Sequence, residues 1–112
     1  MKGMSMGIAC LCSIALHGFE CEVQLENEQV CVAKIKIMAH EEIGLHRDAY
    51  PQVVIALQGG TITRLEADGS TTDVDFPQGV AVYREADPQN VLHRSVNKSS
   101  NVVELIVVQL KP

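Results

Sequence analysis

From about residue 20 to the C-terminus apolar side chains recur at every second position, and no window carries an apolar stripe at helical spacing. In residues 30–38, Lys34 and Lys36 fall on one face and Ala33, Ile35 and Ile37 on the other, the pattern of a half-buried strand. Residues 52–57, 61–66, 71–76, 79–84, 91–96 and 102–110 continue in the same way, for seven or eight short strands in all. Asp68-Gly69 between two alternating segments predicts a hairpin, because Gly readily adopts the positive φ that tight turns need. Short strands at this spacing predict an all-β antiparallel sandwich or barrel. A length of 112 residues is enough for one such domain.

Charge and aromatic content remove several functional classes. A net charge of −5 argues against nucleic acid and anionic membrane as partners, since both require a basic face. With no Trp and 4% aromatic residues, a stacking platform for bases or sugars is not expected.

Residues 1–19 are read as an N-terminal arm or strand and 20–112 as the domain. Lys2 followed by a weakly apolar run over residues 6–16 is signal-like, but no small-x-small cleavage site follows, and the run is too short and broken to span a bilayer. The expected location is cytoplasmic, with export as the alternative raised by the first 16 residues. The four cysteines, at 10, 12, 21 and 31, lack the distribution of a disulfide framework and the paired spacing of a zinc site. They are read as reduced thiols, with a Cys10/Cys12/His17 metal cluster as the sharper alternative.

Two strands are apolar on both faces. Val53, Ile55 and Leu57 alternate with Val54 and Ala56, and Val103, Leu105 and Val107 alternate with Val102, Ile106 and Val108. An outer face of that kind requires a cover, and a homodimer is the expectation.

The chemistry-bearing residues cluster in two places. His46 and Asp48 are two apart, so on a strand they point the same way, and Gln52 opens the next strand with the same parity. His93 lies on a later strand. Two imidazoles, a carboxylate and an amide oxygen inside a barrel suit a divalent metal such as Fe, Mn, Ni or Zn. Arg47 and Arg94 alternate outward and are expected in surface or interface ion pairs. Arg84, Tyr50 and Asn97 are the candidate ligand-binding residues; Asn97 also reads as a turn former.

Here the chain resembles the cupin superfamily, whose first motif runs G-x5-H-x-H-x3-4-E-x6-G and second G-x5-P-x-G-x2-H-x3-N. His46-x-Asp48-x3-Gln52-x6-Gly59 keeps the first spacing, with His40 at the leading Gly, and Pro88-x-Asn90-x2-His93-x3-Asn97 keeps the second, with Asn90 for Gly. The leading Gly of the second motif would fall at Val82, with Gly79 the nearest. The resemblance covers about residues 20–110 and implies a single-domain double-stranded β-helix, or jelly roll. It implies that His46 and His93 match two metal-ligating histidines, while Asp48 replaces a third and Gln52 replaces a glutamate. That weakens the expected site, since a neutral amide is a poorer ligand than a carboxylate. Three functions stay open: a metal-dependent enzyme on small organic acids or carbonyl compounds, a metal-free module binding a small polar metabolite, and a structural dimeric module.

Overall fold

The structure, a computed structural model, describes residues 19–112; the signal-like segment, Cys10, Cys12 and His17 lie outside the described residues. Nine strands form: β1 (Phe19–Glu26), β2 (Val30–Ile37), β3 (Glu42–His46), β4 (Gln52–Gln58), β5 (Gly60–Glu66), β6 (Thr71–Phe76), β7 (Ala81–Arg84), β8 (His93–Val96) and β9 (Val103–Leu110). They make a five-stranded sheet, β1-β2-β9-β4-β7, and a four-stranded sheet, β3-β8-β5-β6, whose strand ladders are antiparallel. The fold is an all-β jelly roll. The predicted hairpin is β5–β6, with Gly69 at φ 90° and Asp68 Oδ1 accepting the Ser70 amide at 2.9 Å.

Alternation decides what faces inward. Ile35 and Ile37 of β2, Val54 and Ala56 of β4, and Val103, Leu105 and Val107 of β9 are buried from one sheet; Ile43, Ile62 and Phe76 are buried from the other. Burying one such side chain stabilises the fold by roughly 1.5–3 kcal/mol relative to its exposure. On the outer face of the five-stranded sheet, Val32, Val108, Val53 and Tyr83 stand in one continuous cross-strand row. Ile106, Ile55 and Ala81 follow in the next row. Tyr83 is 55% exposed on this outer face.

The reading of the cysteines needs correction. Cys21 and Cys31 are both disulfide-bonded, not reduced thiols. Cys21 stands opposite Ile35, four residues from Cys31 along β2, a separation of roughly 13 Å that is beyond the reach of a mutual bridge.

Among the described residues, the two non-glycine residues with left-handed backbone are His40 (φ 62°) and Asn90 (φ 66°). These are two of the positions where the resemblance expects Gly, and the left-handed backbone explains that preference at both. An L-residue in this conformation costs roughly 1–2 kcal/mol, less for Asn. His40→Gly should therefore stabilise the protein by about 0.5–1 kcal/mol after the entropic cost of Gly, raising the melting temperature by roughly 3–5 °C. Asn90→Gly should gain less. A lower melting temperature for His40→Gly would contradict the assignment of strain to that turn.

Candidate metal centre

Four elements bring the predicted residues to one end of the space between the sheets. His46 ends β3 and His93 begins β8, and the ladder pairs them directly across the two strands. Their rings lie with centroids 4.3 Å apart. Ile43 and His46 have opposite parity yet both face inward, because a bulge interrupts β3 between them. Asp48 follows in the loop beyond β3, and Gln52, the first residue of β4, is 6% exposed and lines the same cavity.

The two histidines are turned the same way. His46 Nδ1 donates to the Gly44 carbonyl at 2.6 Å, so its proton sits on Nδ1 and Nε2 carries a lone pair. His93 Nδ1 faces Asp87 Oδ2 at 3.1 Å, off the line of a full hydrogen bond, and no other acceptor serves it. Both Nε2 atoms then point at Asp48: His46 Nε2 is 3.6 Å from Oδ1 and His93 Nε2 is 3.5 Å from Oδ2. These separations exceed a hydrogen bond. They approach the roughly 3.0–3.4 Å between neighbouring ligands of an ion bound at about 2.1 Å. One ligand atom from each of His46, Asp48 and His93 lies within 4.8 Å of the others, so the donor set fits a divalent metal.

Electrostatics favour the neutral His93 ring that ligation requires. Burial pushes the His93 imidazole below its ordinary pKa, and the neighbouring His46 adds to that effect against the pull of Asp48 and Asp87. Burial alone would raise the Asp87 carboxyl, but bonds from the Asp48 amide and Arg64 outweigh it and hold it below the usual carboxylate range.

The cavity of about 80 Å³ has an apolar wall from Ile35, Val54, Leu105 and Val107 facing the polar group of His46, His93, Arg64 and Ser95. Arg84 ends β7 opposite Gln52 and lines this cavity, as expected. Tyr50 and Asn97 do not line it. Asn97 is fully buried, and its carboxamide donates to the Ile37 and Asn101 carbonyls and accepts the Ser99 amide, so it is a turn former and not a ligand-binding group. The Arg47 guanidinium donates to the Pro88 carbonyl at 3.0 Å and to the Asp87 carbonyl at 3.3 Å.

No family model and no curated protein sequence matches the chain. Solved structures do. A cupin domain from Bordetella pertussis Tohama I superposes with a TM-score of 0.74 at 24% identity, over 85% of this chain and 95% of that one. The chain is a cupin by fold. An RmlC-like cupin from Methanocaldococcus jannaschii, with a double-stranded β-helix, gives 0.62 at 19% identity over 83% of this chain and 80% of that one. A predicted oxalate decarboxylase from Thermotoga maritima gives 0.59 at 16% identity, over 84% and 81%. These likenesses agree with the double-stranded β-helix fold that the paired motifs implied.

Two residues of the centre escaped the sequence reading. Arg64 shares inward parity with Ile62 on β5, which was a usable signal. Asp87 lies in the irregular segment between β7 and β8, where no period applies.

Proposed function

We propose that this cupin holds a divalent ion on His46 Nε2, His93 Nε2 and the Asp48 carboxylate, with Gln52 beside them, and uses that centre to bind and transform a small organic acid or carbonyl compound. The observation that carries this reading is the convergence of His46 Nε2 and His93 Nε2 on one carboxylate at 3.5–3.6 Å. Two imidazoles and a carboxylate with open positions suit Fe(II), and also Mn, Ni or Zn. Such an ion supplies Lewis-acid polarisation of a substrate oxygen. Among the described residues Arg84 has no ion pair, so its guanidinium is available to hold a carboxylate at the cavity mouth. The aliphatic wall excludes water from the rest of the ligand, and the cavity admits only a small one. The Thermotoga maritima neighbour, described as a predicted oxalate decarboxylase, supports the same substrate class.

The test is metal content by plasma mass spectrometry, followed by calorimetric titration with small carboxylates. The expectation is near one ion per chain. Arg84→Gln should weaken carboxylate binding roughly 10–100-fold, the loss of one charge-assisted contact, while metal content stays unchanged. No ion after dialysis against Fe, Mn, Ni and Zn would leave the metal-free binding module as the reading.

We infer further that a second copy of the chain covers the outer face of the five-stranded sheet. The row Val32–Val108–Val53–Tyr83 across β2, β9, β4 and β7, with Ile106, Ile55 and Ala81 beside it on the last three, supports this. Light scattering should give the mass of two chains, and Ile106→Lys should reduce it to one; a wild-type monomer would refute the inference. Among the described residues no helix is long and apolar enough to cross a membrane. The bonded state of Cys21 and Cys31 favours an oxidising compartment, and so supports export over the cytoplasmic expectation.

A further inference from the structure

We infer that Asp87 is a positioning residue that sets two of the three ligands at once, His93 through its ring and Asp48 through its main chain. Asp87 is 7% exposed and does not line the cavity, so it reaches a bound ligand only through other groups. Its Oδ1 accepts Arg64 Nη2 at 2.7 Å, and Arg64 is itself held by Glu66. The anchored carboxylate then turns Oδ2 toward the centre, where it accepts the Asp48 amide at 2.8 Å and stands 3.1 Å from His93 Nδ1. The Asp87 amide returns a bond to the Asp48 carbonyl at 2.7 Å, which clasps the two loops. A carboxylate facing Nδ1 favours the tautomer protonated there, because a bare nitrogen would be repelled. That tautomer leaves Nε2 free toward Asp48.

The consequence for metal affinity rests on the proposed centre, but the tautomer does not, and this separates the two. In metal-free wild-type protein, long-range proton–nitrogen spectra should place the His93 proton on Nδ1. Asp87→Ala should move it largely to Nε2, and the affinity for Co(II), followed by its visible absorption, should fall roughly 10–100-fold, as when an outer partner of a metal-bound histidine is removed. Asp87→Asn, closer in shape, should shift both readouts in the same direction and carries the test if Asp87→Ala does not fold. Asp73→Asn, on β6 and bonded to Thr63, should change neither. A variant that melts earlier but keeps the Nδ1 tautomer and the wild-type affinity per folded chain would overturn the inference. If wild-type protein binds no Co(II), the metal centre fails while the tautomer still decides the role of Asp87.

Discussion

His93→Ala should reduce metal affinity by at least about 100-fold, the largest functional effect expected of any single substitution in this chain. The removed imidazole is one of the two nitrogen ligands of the proposed centre and is 2% exposed, so water reaches its place poorly. The loss should exceed the roughly 10–100-fold typical of an outer partner, because a ligand is lost and not merely its orientation. Ser95→Ala, a neighbouring change in the same cavity wall, should leave affinity within about threefold. Isothermal titration with Zn(II), normalised to folded protein by circular dichroism, checks the pair; equal affinities for both variants and wild type would place any bound ion elsewhere. The pH dependence has a defined sign. The unfolded chain protonates His93 near its ordinary value of about 6.5, and the folded chain only at lower pH. Stability of the metal-free protein should therefore decline as pH falls from about 6.5 toward the folded value, and metal binding should weaken over the same window.

Gly59→Ala should be the most destabilising single-methyl change. A Cβ there would lie 2.6 Å from the Phe76 carbonyl oxygen and 2.7 Å from the Gln78 amide nitrogen. Both are backbone atoms and cannot rotate away. They belong to the segment that pairs Ala56 with Gln78 and donates the Gly79 amide to the Ala56 carbonyl at 2.8 Å. Relieving the clash must open this bridge, at a cost of about 2–3 kcal/mol, or roughly 10–15 °C in melting temperature. Gly44→Ala is the internal comparison, since a Cβ at Gly44 meets nothing within 4 Å. It should change the melting temperature by no more than a few degrees. Equal effects at the two glycines would mean that close approach is not why Gly59 ends the first motif.

These contrasts show which features were legible in the residues. Parity put Ala33, Ile35 and Ile37 on one face of β2, the buried one, because one register decides every side chain of a strand; it marked β4 and β9 as apolar on both faces without choosing the inner one. His46 and Asp48 do come together, but Asp48 lies in the loop beyond β3, where strand parity does not apply. Parity fails where a bulge intervenes, which is why β3, with Ile43 and His46 both inward, was not recognised as a strand. β1 was missed because Glu20 and Glu22 and the exposed Val23 and Leu25 leave it only a weak apolar face. Asp87 is a loop residue whose partners Arg64 and Asp48 are 23 and 39 positions away, and only the folded topology joins them. His40 and Asn90 read as departures from a glycine pattern; their positive φ values supply the reason for the pattern itself.

The central claim is that one divalent ion sits between His46, Asp48 and His93. Anomalous diffraction from crystals grown with Mn(II) or Zn(II), recorded on either side of the absorption edge, tests it most directly. The account predicts a single strong peak about 2.0–2.3 Å from both Nε2 atoms and an Asp48 oxygen. No peak at that point, with the Asp48 carboxylate instead drawn to within about 3 Å of a protonated Nε2, would contradict it.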